Sequence, residues 1–92
     1  MVELNQDEET LLEFPCEFFI KAMGRSADDF EVHVVGLVAK HCNEVDITGV
    51  RCRPSRNGNY TSATVPLTAT SRAQLDAIYL ELTSSERVLQ AF

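Results

Sequence analysis

The residues of this sequence that could do covalent or metal chemistry are three cysteines and two histidines. Cys16, Cys42 and Cys52 show no C-x-x-C spacing, and the histidines are not spaced i, i+4, so no metal site is predicted. His41 and Cys42 are adjacent, but neighbouring side chains on a helix diverge by about 100° and cannot pair as base and nucleophile. G-x-S-x-G, P-loop, G-x-G-x-x-G and H-E-x-x-H motifs are absent. We therefore expect no enzyme, no cofactor and no metal.

Charge is distributed unevenly along the chain. The 92 residues carry 8 basic and 14 acidic side chains, and the net charge of −6 argues against general binding to nucleic acids or membranes. Residues 1–13 contain five acids and no base, whereas residues 47–75 contain four arginines and no acid. Arg51, Arg53 and Arg56 are therefore a candidate patch for an anion or an acidic partner. The alternative is a solvated hairpin whose arginines pair with acids from elsewhere.

The length predicts a single domain. The acidic residues 1–13 are expected to form a flexible N-terminal tail, and residues 14–92 the folded domain. No apolar run approaches the roughly 18 residues of a membrane span, and the N-terminus does not resemble a signal peptide. We expect a cytoplasmic protein.

The first half of the domain reads as a strand followed by a helix. Alternating apolar residues predict a strand at 16–23 that Gly24 ends. Ser26 is placed to cap a helix by accepting a hydrogen bond from the Asp29 amide. Apolar residues at helical spacing then predict an amphipathic helix over residues 27–42.

The second half reads as a hairpin, a helix and a last strand. Strands are predicted at 45–53 and 60–69, joined at Asn57-Gly58 by a type I′ turn. Ser71 and Gln74 have capping-box spacing and open a second helix. The last strand, residues 87–92, has an ambiguous inner face. The two possible buried sets are Val88 with Phe92, and Leu89 with Ala91.

The predicted order is β-α-β-β-α-β, which favours the ferredoxin-like α+β fold: a four-stranded antiparallel sheet with two helices on one face. Right-handed crossovers place the first and third strands at the centre. Pro66 would then lie in a central strand, where a missing N–H is unfavourable. Either a bulge forms at Pro66 or the strand order differs.

The open face of this sheet would expose Phe19, Met23, Tyr60 and Pro66, and the first three are the candidate partner-binding residues. A contiguous apolar patch suits dimerisation or partner docking, and scattered surface hydrophobic residues are the alternative. RNA binding is a further alternative, since sheets of this kind can stack bases on aromatic rings, but no RNP-like run occurs. Nucleic acid is therefore the less favoured partner.

Three segments make the sequence resemble the YbeD family of small bacterial proteins. They are LLEFPCEFFIKAMG at residues 11–24, SRNGNYTSATVPLTAT at 55–70 and LDAIYLELTSSERV at 75–88. The resemblance implies a domain similar to the ACT regulatory modules of amino-acid enzymes, an uncharacterised function, and genes that often lie near lipoate-attachment genes. It carries over no catalytic residue.

Two functions follow as expectations. The first is a non-catalytic regulatory or adaptor domain that binds a protein partner or itself, with a possible link to lipoate metabolism. The second is an ACT-like sensor of an amino acid or a lipoate-related acid. The similarity to ACT modules places that ligand where the first strand meets the first helix, at Gly24, Arg25 and Ser26, because amides at a helix N-terminus favour a carboxylate.

Overall fold

The computed structural model describes residues 12–92, so most of the predicted tail, residues 1–13, lies outside the described residues. The elements in chain order are β1 (Cys16–Arg25), α1 (Phe30–Ala39), a 3₁₀ turn (Ile47–Gly49), β2 (Arg51–Pro54), β3 (Tyr60–Ala69), α2 (Arg72–Thr83) and β4 (Val88–Ala91). This is the predicted β-α-β-β-α-β order.

The four strands form one antiparallel sheet in the order β2-β3-β1-β4. The first and third strands are central, so the predicted ferredoxin-like fold is confirmed. The two helices bury their apolar sides against one face of the sheet. The largest fully buried side chains of this core are Phe30, Ile20, Ile78, Leu82, Val34, Val38 and Val65. Within residues 12–92, no element covers the opposite face of the sheet.

The first helix begins later than predicted. It spans Phe30–Ala39 instead of residues 27–42, and its N-cap is Asp29, whose side chain makes no capping hydrogen bond. The predicted cap by Ser26 is wrong, because β1 extends past its predicted end and brings Ser26 to the sheet. The Ser26 hydroxyl lies 2.7 Å from the Thr61 hydroxyl instead.

The second helix begins as predicted. The Gln74 N–H donates to the Ser71 hydroxyl oxygen at 3.0 Å, which satisfies one of the unpaired donors of the first turn. Leu75, Ile78 and Leu82 are buried against the core. A matching apolar stripe and cap therefore position α2.

The predicted strand at 45–53 is wrong over its first half. Val45 makes only an isolated bridge with Leu67, and residues 47–49 form the 3₁₀ turn. Regular pairing with β3 begins at Arg51. Asp46 precedes the turn, and its side chain caps the turn by accepting a hydrogen bond from the Gly49 N–H. Such local hydrogen bonding competes with strand formation.

The predicted type I′ turn at Asn57-Gly58 is also wrong. That turn needs a positive φ at both residues. Gly58 has a φ of 78°, but Asn57 does not have a positive φ, and neither does any other non-glycine residue that the structure describes. The Gly58 N–H donates to the Ser55 carbonyl at 2.9 Å, so the turn starts one residue earlier. Only glycine takes the left-handed conformation without a steric cost, and only one residue here adopts it.

Pro66 lies in the central strand β3 without a bulge in its pairing to β1. Its carbonyl accepts a hydrogen bond from the Asp46 N–H at 2.9 Å, so its backbone polar groups face the β2 side of the strand. Pairing with β2 stops at Thr64, and the 3₁₀ turn follows on that side. No carbonyl of β2 therefore lacks a donor because of the missing Pro66 N–H, and the predicted strand order is kept.

The last strand buries neither of the two predicted sets. Val88 is buried and Ala91 packs against the core, whereas Leu89 and Phe92 are exposed. The pairing with β1 shifts register at Leu89, which lies between two paired residues. This irregularity breaks the alternation on which both predictions rested.

Candidate partner-binding face

The uncovered face of the sheet is organised in rows by the strand register. Lys21 on β1 pairs with Thr64 on β3, which pairs with Arg51 on β2. These three side chains point to the same side, because paired residues of adjacent strands share a face. The next row toward the hairpin consists of Met23, Ser62 and Arg53.

All residues of these rows except Met23 line a shallow groove of about 320 Å³, which we call the cationic groove. Its lining residues are Phe19, Lys21, Gly49, Arg51, Arg53, Ser62, Thr64 and Pro66. Three of them are cationic and none is acidic. The hydroxyl groups of Ser62 and Thr64 on β3 lie between the cations and can donate hydrogen bonds to an anion.

The 3₁₀ turn fixes one wall of the cationic groove. One guanidinium nitrogen of Arg51 donates to the carbonyl oxygens of Thr48 and Val50, both at 3.1 Å. The Asp46 carboxylate accepts from the Thr48 hydroxyl at 2.9 Å and from the Gly49 N–H at 3.2 Å. An added Cβ at Gly49 would lie 2.7 Å from that carboxylate, so a larger residue there would displace the Asp46 side chain. The turn therefore holds Arg51 in place before any partner binds.

Part of the wall of the cationic groove is apolar. Phe19 pairs in register with Pro66, and its side chain is 60% exposed. The backbones of Lys21 and Phe92 exchange two hydrogen bonds, of 2.6 and 2.7 Å. The Lys21 ammonium lies 5.8 Å from the centre of the Phe92 ring, within the range of a cation–π contact. Aromatic surface thus borders the cations.

The three candidate partner-binding residues do not form one patch. Phe19 is exposed, Met23 is half-buried, and Tyr60 pairs with Arg25 at the far end of the sheet. Tyr60 lies six residues along β3 from the partner of Phe19, a separation of about 20 Å at the rise of a strand. Of these three, Phe19 borders the cationic groove, together with Pro66, which was also predicted on this face.

The predicted arginine patch is divided. Arg51 and Arg53 line the cationic groove, but Arg56 lies in the connection between β2 and β3 and is not among the lining residues. The alternation of β1 and β3 already placed Lys21 and Thr64 on the outer face, so their part could have been inferred. No sequence signal placed Phe92 beside Lys21.

The predicted ligand position, Gly24 to Ser26, precedes the N-terminus of α1 and is not part of it. Gly24 is buried, and an added Cβ would overlap the Arg87 carbonyl oxygen and lie 2.6 Å from the Phe30 ring. Arg25 and Ser26 are exposed. Close packing therefore accounts for the glycine, and the two residues after it remain accessible.

An ion pair stands at the start of α1. Arg87 donates to both carboxylate oxygens of Asp29, at 2.7 and 3.2 Å. This hydrogen bonding lowers the pKa of Asp29 and raises that of Arg87. A carboxylate of this chain thus already lies at the helix end where a ligand carboxylate was predicted.

The cysteines are separated in the structure, and all three carry free thiols. Desolvation and the nearby Glu31 carboxylate raise the pKa of the Cys52 thiol, which points to a carboxylate oxygen 3.6 Å away. A raised pKa lowers the thiolate fraction at neutral pH and so its nucleophilicity. Across residues 12–92, no three His, Cys, Asp or Glu side chains are grouped to hold a metal ion.

None of the helices in the described part of the chain is both long and apolar enough to cross a membrane.

Curated relatives cover most of this chain. A UPF0250 protein of Paraburkholderia phytofirmans is 51% identical over 80 residues, which are 87% of this chain and 90% of the relative. A UPF0250 protein of Nitrosomonas europaea is 45% identical over 75 residues, with 82% of this chain and 86% of the relative covered.

Solved structures share the fold at low sequence identity. The solution structure of HP0495 from Helicobacter pylori is 13% identical with a TM-score of 0.67, covering 88% of this chain and 85% of that one. The C-terminal domain of MgtC from Mycobacterium tuberculosis is 18% identical with a TM-score of 0.59, covering 88% of each chain. Residues 9–91 match the family described as a protein of unknown function, DUF493. The predicted YbeD resemblance is confirmed: the chain belongs to this uncharacterised family, DUF493 or UPF0250.

Proposed function

We propose that this chain is a non-catalytic adaptor or regulatory domain that binds a protein partner, or a second copy of itself, through the uncovered sheet face. The observation that carries the proposal is the exposed Phe19 ring beside the cationic groove. A large aromatic side chain flanked by arginines has the composition of a binding hot spot, in which aromatic and Arg side chains dominate the affinity.

The chemistry of the groove also favours binding over bond breaking. Its polar groups are guanidinium, ammonium and hydroxyl groups, and none of the lining residues is a general base at neutral pH. The hydroxyls of Ser62 and Thr64 stand between cations that would attract an anion. Nothing in the lining set would activate these hydroxyls as nucleophiles.

The test compares capture of partners by the full chain and by two single variants. Phe19→Ser removes the exposed ring from the groove. Leu80→Ser is the matched control, because Leu80 is 68% exposed but lies on the outer side of α2. We expect a cross-linked partner, or a dimer in sedimentation, that survives Leu80→Ser and is lost with Phe19→Ser. Binding that Phe19→Ser leaves unchanged would refute the proposal.

A second candidate is a sensor of a small carboxylic acid. Arg25 and Ser26 line a separate groove of about 310 Å³, whose other lining residues are Ala27, Glu86, Arg87 and Leu89. An arginine and a hydroxyl group suit an amino acid or a lipoate-related acid. Saturable amide shifts at residues 23–30 on adding such acids, with a rise in melting temperature, would support the sensor. Unchanged spectra would leave the adaptor.

A further inference from the structure

We infer that the partner presents an acidic, extended peptide segment to the cationic groove, with carboxylates on alternate residues. This inference rests on the proposed function and specifies the chemistry of the partner. It follows from the charge of the groove, the spacing of its cations and the position of its apolar wall.

The cations of the groove have no carboxylate partner in the part of the chain that the structure describes. The ion pairs there involve other residues: Lys40 with Glu81, Arg72 with Asp76, and Arg87 with Asp29. The whole chain carries a net charge of −6, so Lys21, Arg51 and Arg53 are a local reversal of sign. Complementary potential favours an acidic partner, and it disfavours stacking two copies of this face because like charges would meet.

The cation spacing matches an extended segment. Arg51 and Arg53 are alternate residues of β2 on one face, which places their Cα atoms about 6.6 Å apart. Alternate residues of an extended partner have the same separation. Lys21 lies two strands from Arg51, about 9.6 Å across the sheet. One peptide can therefore align successive carboxylates with the two arginines and still approach the lysine.

The peptide is expected to lie on the uncovered face of the sheet. It is not expected to pair as an additional strand at the edge of the sheet. The β2 edge is only four residues long and ends in Pro54, which cannot donate a hydrogen bond. Phe19 and Pro66 border the cationic groove and offer contact to one apolar side chain of the partner. The recognised segment should thus combine alternating acids with an aromatic or aliphatic residue.

The binding test is an amide NMR titration of the ¹⁵N-labelled full chain at about 0.15 M salt, where exposed charges are screened beyond about 8 Å. The probe is a synthetic seven-residue peptide with glutamate at alternate positions and one phenylalanine between them. One control peptide carries glutamine in place of each glutamate. The other has the same composition with its glutamates consecutive. We expect saturable shifts at residues 19–21, 51–53 and 62–64 with the first peptide, none with the glutamine peptide, and weaker binding of the consecutive isomer.

Two protein variants test the assignment of the cations. Arg53→Gln removes a charge from the groove, and Arg56→Gln removes the same charge from the neighbouring connection. We expect Arg53→Gln to weaken peptide binding about two- to fivefold, as loss of an exposed charge pair does, and Arg56→Gln to change it less. Arg51→Gln should match Arg53→Gln, provided that its amide spectrum shows an intact turn at residues 47–49.

Several outcomes would overturn the inference. They are the absence of saturable shifts, equal binding of the glutamine peptide, equal effects of Arg53→Gln and Arg56→Gln, and dimerisation that Arg53→Gln abolishes. Tighter binding of an oligonucleotide with the same dependence on Arg53 would assign the groove to nucleic acid instead. If the peptide fails but Phe19→Ser still removes a captured protein, the proposed function stands and only the acidic character of its partner is refuted.

Discussion

Two glycines of this chain occupy positions with opposite steric demands. At Gly24, an added Cβ would overlap the Arg87 carbonyl oxygen and press on the Phe30 ring. At Gly36, on α1, nothing lies within 4 Å of the added atom. Gly24 therefore lets the end of β1, the start of α1 and the approach to β4 pack together, whereas Gly36 serves no such contact.

The two positions predict opposite effects of the same substitution. Gly24→Ala should lower the free energy of unfolding by about 1–3 kcal/mol, the usual cost of overpacking a core. Gly36→Ala should raise it by up to about 1 kcal/mol, because alanine favours the helix over glycine. Urea unfolding followed by circular dichroism measures both changes. A neutral Gly24→Ala would contradict this close packing.

At the scale of elements, the two helices start in different ways. Ser71 caps α2 with its hydroxyl group, whereas Ser26 contacts the hydroxyl of Thr61 and α1 starts at Asp29 without a side-chain cap. The two serines have similar sequence contexts. Tertiary placement of β1 separates their roles.

Removal of each hydroxyl should distinguish the two serines. Ser71→Ala should cost about 1 kcal/mol of unfolding free energy, typical of a lost N-cap. Ser26→Ala removes only an exposed contact between hydroxyls and should change stability by about 0.5 kcal/mol or less. Equal losses in chemical denaturation would mean that Ser26 contributes to the start of α1 after all.

At the scale of the whole molecule, two partly exposed charge clusters join elements that are distant in sequence. Arg87, before β4, binds Asp29 at the start of α1. Beyond the other end of α1, Lys40 and His41 contact Glu81 on α2, at 3.2 and 2.9 Å. Hydrogen bonds from these partners hold the pKa of Asp29 below its ordinary 3.8 and that of Glu81 below its ordinary 4.5.

The lowered pKa values predict how stability depends on pH. Each carboxylate makes its full contribution to the free energy of unfolding above its ordinary pKa, where it is ionised in the folded and the unfolded chain alike. This contribution is lost as the pH falls through the lower pKa that the carboxylate has in the folded protein. The free energy of unfolding should therefore fall from about pH 5 toward pH 3. Glu81→Gln should make this dependence shallower in denaturation at a series of pH values.

Asp76→Asn is the control for this series, because it removes the same charge from an exposed side chain of α2 that lies 3.6 Å from Arg72. It should leave the pH dependence closer to that of the unchanged chain than Glu81→Gln does. Identical profiles for the two variants would contradict the assignment to the cluster at Glu81.

The sequence predicted most of the fold but only part of the candidate site. Periodicity identified β3 and the buried stripe of α2, and chain order with crossover handedness identified the central strands. Of the predicted site residues, Phe19, Arg51 and Arg53 border the cationic groove, whereas Tyr60 and Arg56 lie elsewhere. Which outward residues become neighbours depends on register, and register is a property of paired strands.

Local sequence thus determined which segments form the two helices and which form the long strands, because these choices depend on side-chain spacing within one segment. Tertiary structure alone decided the shift of register at Leu89 and the meeting of Lys21 with Phe92. Each of these depends on contacts between segments distant in the chain. The cationic groove arises in the same way, from three strands whose charges become adjacent only when the sheet forms.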